Sequence, residues 1–109
     1  MVELNSERLD DVFHALSDAT RRDMLRRLAS REHTVSELAE PFHMSLAAAS
    51  KHIRTLEDAG LIRRTVEGRT HRCRIEPSPL MGIGRWLRRY EKFWNEKLDA
   101  LERALKESP

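Results

Sequence analysis

Residues 45–60, SLAAASKHIRTLEDAG, decide the fold, because they read as one helix with a marked beginning and end. Ser45 is a good N-cap, since its hydroxyl can accept a hydrogen bond from a free backbone N–H of the first turn. Gly60 suits the position just past the helix, where a left-handed residue is common. Four apolar residues share one stripe at helical spacing: Leu46, Ala49, Ile53 and Leu56.

The opposite face of this helix is small near its N-terminus and basic in its middle. Its members are Ala47, Ala48, Lys51, His52, Arg54 and Thr55. Small side chains let a helix approach base edges in the major groove, and Lys or Arg attracts phosphate. The pattern favours a DNA recognition helix, although an ordinary surface helix with a solvated charged face has the same pattern.

Composition limits the rest of the chain. Its 109 residues suit one domain, and 39% apolar against 35% charged residues allow only a modest core that oligomerisation would help. The single cysteine, Cys73, excludes an internal disulfide and suits a reducing cytosol. No apolar run approaches the roughly 18 residues that a membrane span needs. We therefore expect a cytoplasmic protein with no membrane partner.

The net charge of +2 is unevenly distributed. Residues 1–42 hold 6 Lys/Arg against 9 Asp/Glu, residues 43–76 hold 7 against 4, and residues 77–109 hold 7 against 5. The middle third is thus the most basic, and it contains the helix of residues 45–60. This asymmetry is typical of a nucleic-acid-binding surface.

Two helices are predicted before this region. The first, about residues 6–17, has an apolar stripe of Leu9, Val12, Phe13 and Leu16. The second is capped by Asp18 and runs to about Ser30, with Met24, Leu25 and Leu28 inward. Its other face is basic, either solvated or in contact with phosphates: Arg21, Arg22, Arg26, Arg27 and Arg31.

A short third helix leads into residues 45–60. Thr34 and Glu37 have capping-box spacing, and Pro41 should end or bend the helix they start. Val35, Leu38 and Phe42 are its expected inward residues. A short helix, a tight turn and a second amphipathic helix form a helix-turn-helix.

After Gly60 the pattern changes to that of a hairpin. Residues 61–66 and 69–75 read as strands around a Glu67-Gly68 turn, and alternation places His71, Cys73 and Ile75 on one face. Five arginines make the hairpin basic: Arg63, Arg64, Arg69, Arg72 and Arg74. A basic hairpin after a helix-turn-helix indicates a winged helix whose wing contacts backbone or minor groove, a solvated hairpin being the alternative.

The last helix begins with Ser78 as N-cap and Pro79 in its first turn, and runs to about Lys106. Trp86 and Phe93 broaden its apolar stripe, which consists of Ile83, Leu87, Tyr90, Trp94, Leu98, Leu101 and Leu105. Such a helix needs a partner, most simply the same helix of a second copy. Packing within one subunit, or lining a pocket for an apolar ligand, are the alternatives.

Several phrases of the sequence resemble the ArsR/SmtB-type winged-helix repressors: 13–22 FHALSDATRR, 34–39 TVSELA, 50–53 SKHI, 56–62 LEDAGLI and 67–69 EGR. The tail, 90–94 YEKFW and 98–101 LDAL, resembles a branch without metal boxes. The resemblance implies a homodimer, joined through its first and last helices, that binds a palindromic operator and represses transcription. His43 departs from it, because the family often has Gly at this turn.

No metal or other cofactor is expected. Metal-sensing relatives carry a Cys-x-Cys box at the third helix, where this chain has 35–38 VSEL, or His with Asp/Glu on the last helix, which has no histidine from Pro79 onward. Carboxylates alone make poor transition-metal sites. A redox role for Cys73, beside Arg72 and Arg74, stays open as an alternative.

The sequence therefore predicts a mainly α fold with a small β-hairpin wing, in the order α-α-α-α-β-β-α. One domain is expected over residues 1–109, with a DNA-binding unit at about 18–76 and dimerisation helices at about 6–17 and 79–106. The predicted function is a DNA-binding regulator, a homodimeric repressor of double-stranded operator DNA. Autoregulation is part of this hypothesis, and the inducer stays open. Alternatives are a protein-interaction winged helix without DNA binding and a metal- or redox-responsive repressor, whereas no catalytic constellation indicates an enzyme.

The residues expected at each site follow from this interpretation. DNA contacts are assigned to Ser45, Ala47, Ala48, Ser50, Lys51, His52, Arg54, Arg69 and Arg72. The dimer interface is assigned to Leu9, Phe13, Leu87, Tyr90, Phe93, Trp94, Leu98 and Leu101.

Overall fold

The computed structural model of the chain describes residues 6–107. Its elements over that range are α1 (Ser6–Leu16), α2 (Ala19–Ser30), β1 (His33–Thr34), α3 (Val35–Ala39), a 3-10 turn (Glu40–Phe42), α4 (Leu46–Asp58), β2 (Ile62–Glu67), β3 (Thr70–Ile75) and α5 (Ser78–Glu107). The predicted class, a mainly helical winged helix-turn-helix, is confirmed.

The buried residues form one cluster to which α1, α2, α3, α4, the hairpin and the start of α5 all contribute. The predicted inward residues of α2 are all in it, and Ile53 and Leu56 of α4 are fully buried. Its members are Val12, Ala15, Met24, Leu25, Leu28, Leu38, Ala39, Ala49, Ile53, Leu56, Ala59, Leu61, Ile62, Cys73 and Ile83. This core fixes α4 on the rest of the chain.

Leu46 is not part of this core, although periodicity placed it on the inward stripe. Its exposed fraction is 56%, so the prediction of an inward side chain is wrong. Leu46 is the first residue of α4, and the fully buried part of the stripe begins only at Ala49. Periodicity reports the direction of a side chain but not where the neighbouring elements end.

The sheet has three antiparallel strands in the order β1-β3-β2. The strand β1 was not predicted, because two residues are too short to show alternation, and it pairs His33 with Cys73. The hairpin turn is also displaced by one residue. Glu67 pairs with Thr70, so the turn is Gly68-Arg69 rather than Glu67-Gly68. Gly68 has φ +61°, which explains why the glycine occupies the turn's first position.

The helix α5 is 30 residues long, about 45 Å at the standard rise. Only Pro79 and Ile83 on it are buried, and the chain extends 71 Å along its longest axis. Near its start, Trp86 makes an edge contact with Phe13 of α1, with 5.5 Å between the ring centroids. The centroids of Trp86 and Tyr90 are 4.7 Å apart. These rings hold the first part of α5 against α1.

Ser78 is not the N-cap of α5, so that prediction is wrong. The helix already includes Ser78, and the N–H of Met81 donates to the carbonyl of Pro77 at 3.0 Å. The Ser78 hydroxyl instead donates to Glu76 Oε1 at 2.9 Å. This bond lowers the pKa of Glu76 most, and the Ser78 backbone and the Arg63 guanidinium lower it further.

Candidate nucleic-acid interface

The helix α3 begins with the predicted capping box. The N–H of Glu37 donates to Thr34 Oγ1 at 3.2 Å, and the N–H of Thr34 donates to Glu37 Oε1 at 3.1 Å. The hydrogen bond from the Thr34 backbone is the main reason that the pKa of Glu37 lies below its usual range. Both ends of the box are satisfied, so the start of α3 is fixed against β1.

The turn between α3 and α4 depends on a left-handed residue. The α-helical part ends at Ala39, a 3-10 turn containing Pro41 follows, and His43 has φ +52°. This is the position where the sequence departs from the glycine that the family often has. A side chain in this conformation costs free energy that glycine would not.

Both ends of α4 are closed as predicted. The N–H of Ala48 donates to Ser45 Oγ at 3.1 Å, and Gly60 beyond the helix has φ +76°. The outer face of α4 is therefore held in a fixed place relative to α3. Of the nine predicted DNA-contact residues, five are exposed: Ser45, Ala47, Lys51, Arg54 and Arg69. The others are partly buried: Ala48, Ser50, His52 and Arg72.

His52 is engaged with residues of α2. Arg21 Nη1 lies 3.2 Å from His52 Nδ1, and Asp18 Oδ1 lies 4.0 Å from the same nitrogen. Because a guanidinium can only donate, Nδ1 is the acceptor and the neutral ring carries its proton on Nε2. His52 thus has one ring nitrogen occupied inside the protein, a contact that sequence reasoning missed.

Asp18 caps α2 as predicted, and it also faces this contact. Its Oδ1 accepts the N–H of Arg21 at 3.0 Å. That hydrogen bond is the largest cause of the lowered pKa of Asp18, and the charge of Arg21 acts in the same direction. Asp18 therefore serves both the start of α2 and the position of Arg21.

The wing is tied to α4 by Arg64, which the sequence interpretation did not single out. Arg64 Nη2 donates to Glu57 Oε1 of α4 at 3.3 Å, and Nη1 lies 3.3 Å from His71 Nδ1. Arg64 pairs with buried Cys73 across the hairpin, so strand alternation could have identified it as inward-facing. The exposed wing arginines are Arg63, Arg69 and Arg74.

The basic face of α2 makes contacts within the chain. Arg22 Nη1 donates to the carbonyl of Leu16 at 2.7 Å, Arg27 Nη1 donates to that of Glu37 at 3.0 Å, and Arg26 pairs with Asp23. Arg31 lies 3.6 Å from Glu37 Oε2. Arg27 and Arg31 thus connect α2 to α3, whereas Arg22 contacts the end of α1 and Arg26 pairs within α2. These contacts give the arginines positions that do not depend on DNA.

A groove of about 360 Å³ separates α4 from the wing. Its lining comes from α3, the first turn of α4 and the hairpin: Thr34, Val35, Ser36, Leu46, Ser50, Arg64, Arg69, Thr70 and His71. Exposed Leu46 lines this groove together with the predicted contact residues Ser50 and Arg69. Sequence reasoning missed Leu46 as a member of this surface because it assigned the side chain to the core.

Cys73 is fully buried, and burial raises the pKa of its thiol. This environment contradicts the thiolate that the flanking arginines suggested, since a buried cysteine of raised pKa is unreactive. Within residues 6–107 no three His, Cys, Asp or Glu side chains are grouped so as to hold a metal ion. Over the same residues no helix is both long and apolar enough to cross a membrane.

Comparison with known proteins identifies the family. Residues 16–65 match the helix-turn-helix domain family. The HTH-type transcriptional regulator Rv2034 of Mycobacterium tuberculosis is 32% identical over 89 residues, which are 82% of this chain and 80% of that protein. The crystal structure of an ArsR family transcriptional regulator, RHA00566, superposes with a TM-score of 0.80 at 42% identity, covering 86% of this chain and 97% of that one. This chain belongs to the ArsR family of transcriptional regulators.

Membership in the ArsR family confirms the predicted winged helix-turn-helix and the predicted function of a DNA-binding transcriptional regulator. The ArsR family consists of regulators, a class that is typically not enzymatic. The HTH-type transcriptional regulator KmtR of Mycobacterium tuberculosis is 41% identical over 66 residues, which are 61% of this chain. The matched stretch spans about half of KmtR, 51% of its length.

Proposed function

We propose that this ArsR-family chain is a transcriptional repressor that binds a palindromic operator as a homodimer. Each protomer places α4 in the major groove of one half-site, and its wing lies on the flanking DNA. The observation that carries this proposal is the outer face of α4. Ala47, Lys51 and Arg54 on this face are exposed. The helix is capped by Ser45 and followed by left-handed Gly60, and the face consists mainly of small and basic side chains.

The residue types on this face suit a groove helix. Ala47 is exposed and short, so the helix backbone can approach base edges without a clash. Lys51 and Arg54 are exposed on the same side and can reach phosphates or base edges. Ser45 and the N-terminus of α4 supply N–H and O–H donors for a phosphate. His52 retains Nε2–H as a donor, because Arg21 occupies only Nδ1.

The wing supplies the second set of contacts. Arg69 is exposed at the turn, and Arg72 lies on the central strand, paired with Thr65. The Arg64–Glu57 contact ties this hairpin to the C-terminal half of α4. We infer that Arg69 contacts flanking phosphates or the minor groove while α4 reads the major groove.

The exposed apolar stripe of α5 supports a dimer. Six large apolar side chains on it are 49–59% exposed in one protomer: Leu87, Tyr90, Phe93, Trp94, Leu98 and Leu101. A contiguous exposed apolar surface of this kind marks an interaction site. We infer that it packs on the same surface of a second copy about a two-fold axis, with Leu9 and Phe13 of α1 at its edge.

A dimer of this kind would repress by occupying promoter DNA. Two recognition helices one helical turn apart have centres about 34 Å apart, so the dimer covers roughly two turns of duplex. RNA polymerase and the repressor cannot occupy the same stretch. We propose that the operator lies upstream of the chain's own gene, so that the protein limits its own synthesis.

The experiment begins with duplexes selected from a random pool by the purified protein, followed by gel shifts over a salt series. Each lost phosphate contact lowers the slope of log K against log salt by about 0.9. We expect Lys51→Ala and Arg69→Ala each to weaken binding and to lower the slope by about that amount. The control is Arg26→Ala, which removes an α2 arginine paired with Asp23. Unchanged slopes for Lys51→Ala and Arg69→Ala would contradict the proposed interface.

A further inference from the structure

Leu46 combines a large apolar side chain with an exposed place on the recognition helix. Its exposed fraction is 56%, whereas the three other apolar residues of its stripe, Ala49, Ile53 and Leu56, are fully buried. Core packing therefore accounts for those three but not for Leu46. The side chain of Leu46, in the first turn of α4, is therefore available for a contact outside the chain.

The surroundings of Leu46 indicate what that partner is. Leu46 lines the groove between α4 and the wing, together with Ser36 of α3, Ser50 of α4 and Arg69 and Thr70 of the hairpin. Hydroxyls and an arginine suit the sugar-phosphate backbone and polar base edges. Val35 is the other apolar residue of the lining and is partly buried against the core, so exposed Leu46 is the apolar side chain of this groove that can contact an apolar group of the same duplex.

Only one base offers such a group in the major groove. The edges of guanine, cytosine and adenine present hydrogen-bond donors and acceptors, whereas thymine adds its C5-methyl group. Leu46 is also well placed to discriminate, because the Ser45 cap fixes the helix turn on which it sits. A rigidly held methyl-bearing side chain can distinguish thymine from cytosine, which lacks the methyl group.

We propose that Leu46 is a specificity-determining residue that packs on the C5-methyl group of one thymine in each half-site. The inference rests on the proposed function, in which α4 occupies the major groove. It adds a base preference to that function: the bound sequence has a T·A pair opposite the first turn of α4. Because the contact is apolar, it contributes to affinity independently of salt.

The test removes the methyl group from the DNA and the side chain from the protein. Duplexes selected by the wild-type protein are resynthesised with each thymine replaced singly by deoxyuridine, which keeps base pairing and loses only the methyl. Burial of one methyl group corresponds to about a fourfold change in affinity. We expect one thymine per half-site to show about a fourfold loss with the wild type and less than about 1.5-fold with Leu46→Ala.

Two controls isolate the contact. Val66→Ala shortens an apolar side chain on β2 that is 57% exposed and should keep the wild-type response to deoxyuridine. Leu46→Ala should unfold at the wild-type temperature within about 2 °C, because an exposed side chain contributes little to the core, and its salt slope should stay unchanged.

The results distinguish a failure of the Leu46 contact from a failure of the proposed function. If the wild type binds its duplex but no thymine responds to methyl removal, or if the response persists unchanged in Leu46→Ala, the role of Leu46 is overturned while the proposed function stands. If the wild-type protein selects no duplex, both fall together.

Discussion

Arg21 Nη1 lies 3.2 Å from His52 Nδ1, and this contact connects the first turn of α2 to the middle of the recognition helix. The same guanidinium donates through Nε to the carbonyl of Ala15 at 2.8 Å and through Nη2 to that of His14 at 3.1 Å. One side chain thus closes the end of α1 and holds α4. We placed α1 at the edge of the proposed dimer interface. Arg21 therefore connects the recognition helix of each protomer to the surface that would contact the second protomer.

Replacing Arg21 by alanine should therefore lower both stability and DNA affinity. Three hydrogen bonds are lost, two partly buried and one exposed, which corresponds to about 1–3 kcal/mol in the free energy of unfolding. Affinity should fall without a change in salt slope, because Arg21 positions α4 and does not neutralise a phosphate. Urea unfolding and gel shifts over salt measure the two effects.

Arg22→Ala is the matched control for this prediction. Arg22 is the adjacent arginine, is exposed, and donates to the carbonyl of Leu16 at the end of α1. Equal operator affinity of the two variants would show that the Arg21–His52 contact does not position the recognition helix.

Glycine at position 43 should stabilise the protein. His43 has φ +52°, a conformation that costs a non-glycine residue about 1–2 kcal/mol. Glycine removes this cost, but its greater freedom in the unfolded chain destabilises the fold by about 0.5–1 kcal/mol. We therefore expect His43→Gly to raise the free energy of unfolding by about 0.5–1 kcal/mol. The urea midpoint should rise for His43→Gly but not for His43→Ala, which retains a Cβ. A midpoint that rises equally in both variants would refute this explanation.

The cap of α2 should make stability depend on pH in the acid range. The hydrogen bond from the N–H of Arg21 holds the pKa of Asp18 below its usual value of 3.8. A carboxyl whose pKa is lower in the folded state than in the unfolded chain stabilises the fold at pH values above its usual pKa. That stabilisation is lost as the pH falls through the lowered pKa. Asp18→Asn keeps a good N-cap but cannot titrate.

We therefore expect the urea midpoint to fall less between pH 6 and pH 3 in Asp18→Asn than in the wild type. Asp58→Asn, which changes an exposed carboxylate at the end of α4, should keep the wild-type decline. If Asp18→Asn declines as steeply as the wild type, the cap of α2 does not contribute to the acid sensitivity.

A charge on the apolar stripe of α5 should dissociate the proposed dimer. Leu98 is 58% exposed in one protomer, and a two-fold axis buries it twice. Burial of one leucine side chain stabilises an interface by about 1.5–3 kcal/mol, and Leu98→Glu removes two of them from the dimer. We therefore expect the dimer dissociation constant to rise by about 100-fold or more. Asn95→Glu introduces the same carboxylate at an exposed position beside the stripe and should stay dimeric.

Sedimentation equilibrium over a concentration series measures both variants, and circular dichroism verifies that each remains helical. A wild-type dissociation constant for Leu98→Glu would place the interface elsewhere. A monomeric wild type would contradict the homodimer itself.

Features set by local sequence were predictable. The Asp18 cap, the Thr34–Glu37 box, the Ser45 cap and the left-handed Gly60 each depend on residues within four positions of one another, and all are present. Regular periodicity in α2 also identified its buried residues correctly.

Features set by the packing of distant segments were not predictable. The Arg21–His52 contact joins residues 31 positions apart, and β1 exists only because β3 lies beside it. The exposure of Leu46 depends on where neighbouring elements end, and the burial of Cys73 depends on the pairing of β1 with β3. One-residue shifts at Gly68 and Ser78 reflect local hydrogen bonds that a residue pattern does not encode.

The central claim is that α4 reads one half of a two-fold operator and that a second protomer reads the other. Hydroxyl-radical footprinting of the wild-type protein on a selected duplex, and on DNA upstream of its own gene, tests it most directly. We expect two equal protected half-sites with centres about 34 Å apart, or about ten base pairs, that appear together as protein is added. Protection of a single half-site, or the absence of any protected sequence at concentrations where the protein is dimeric, would contradict it.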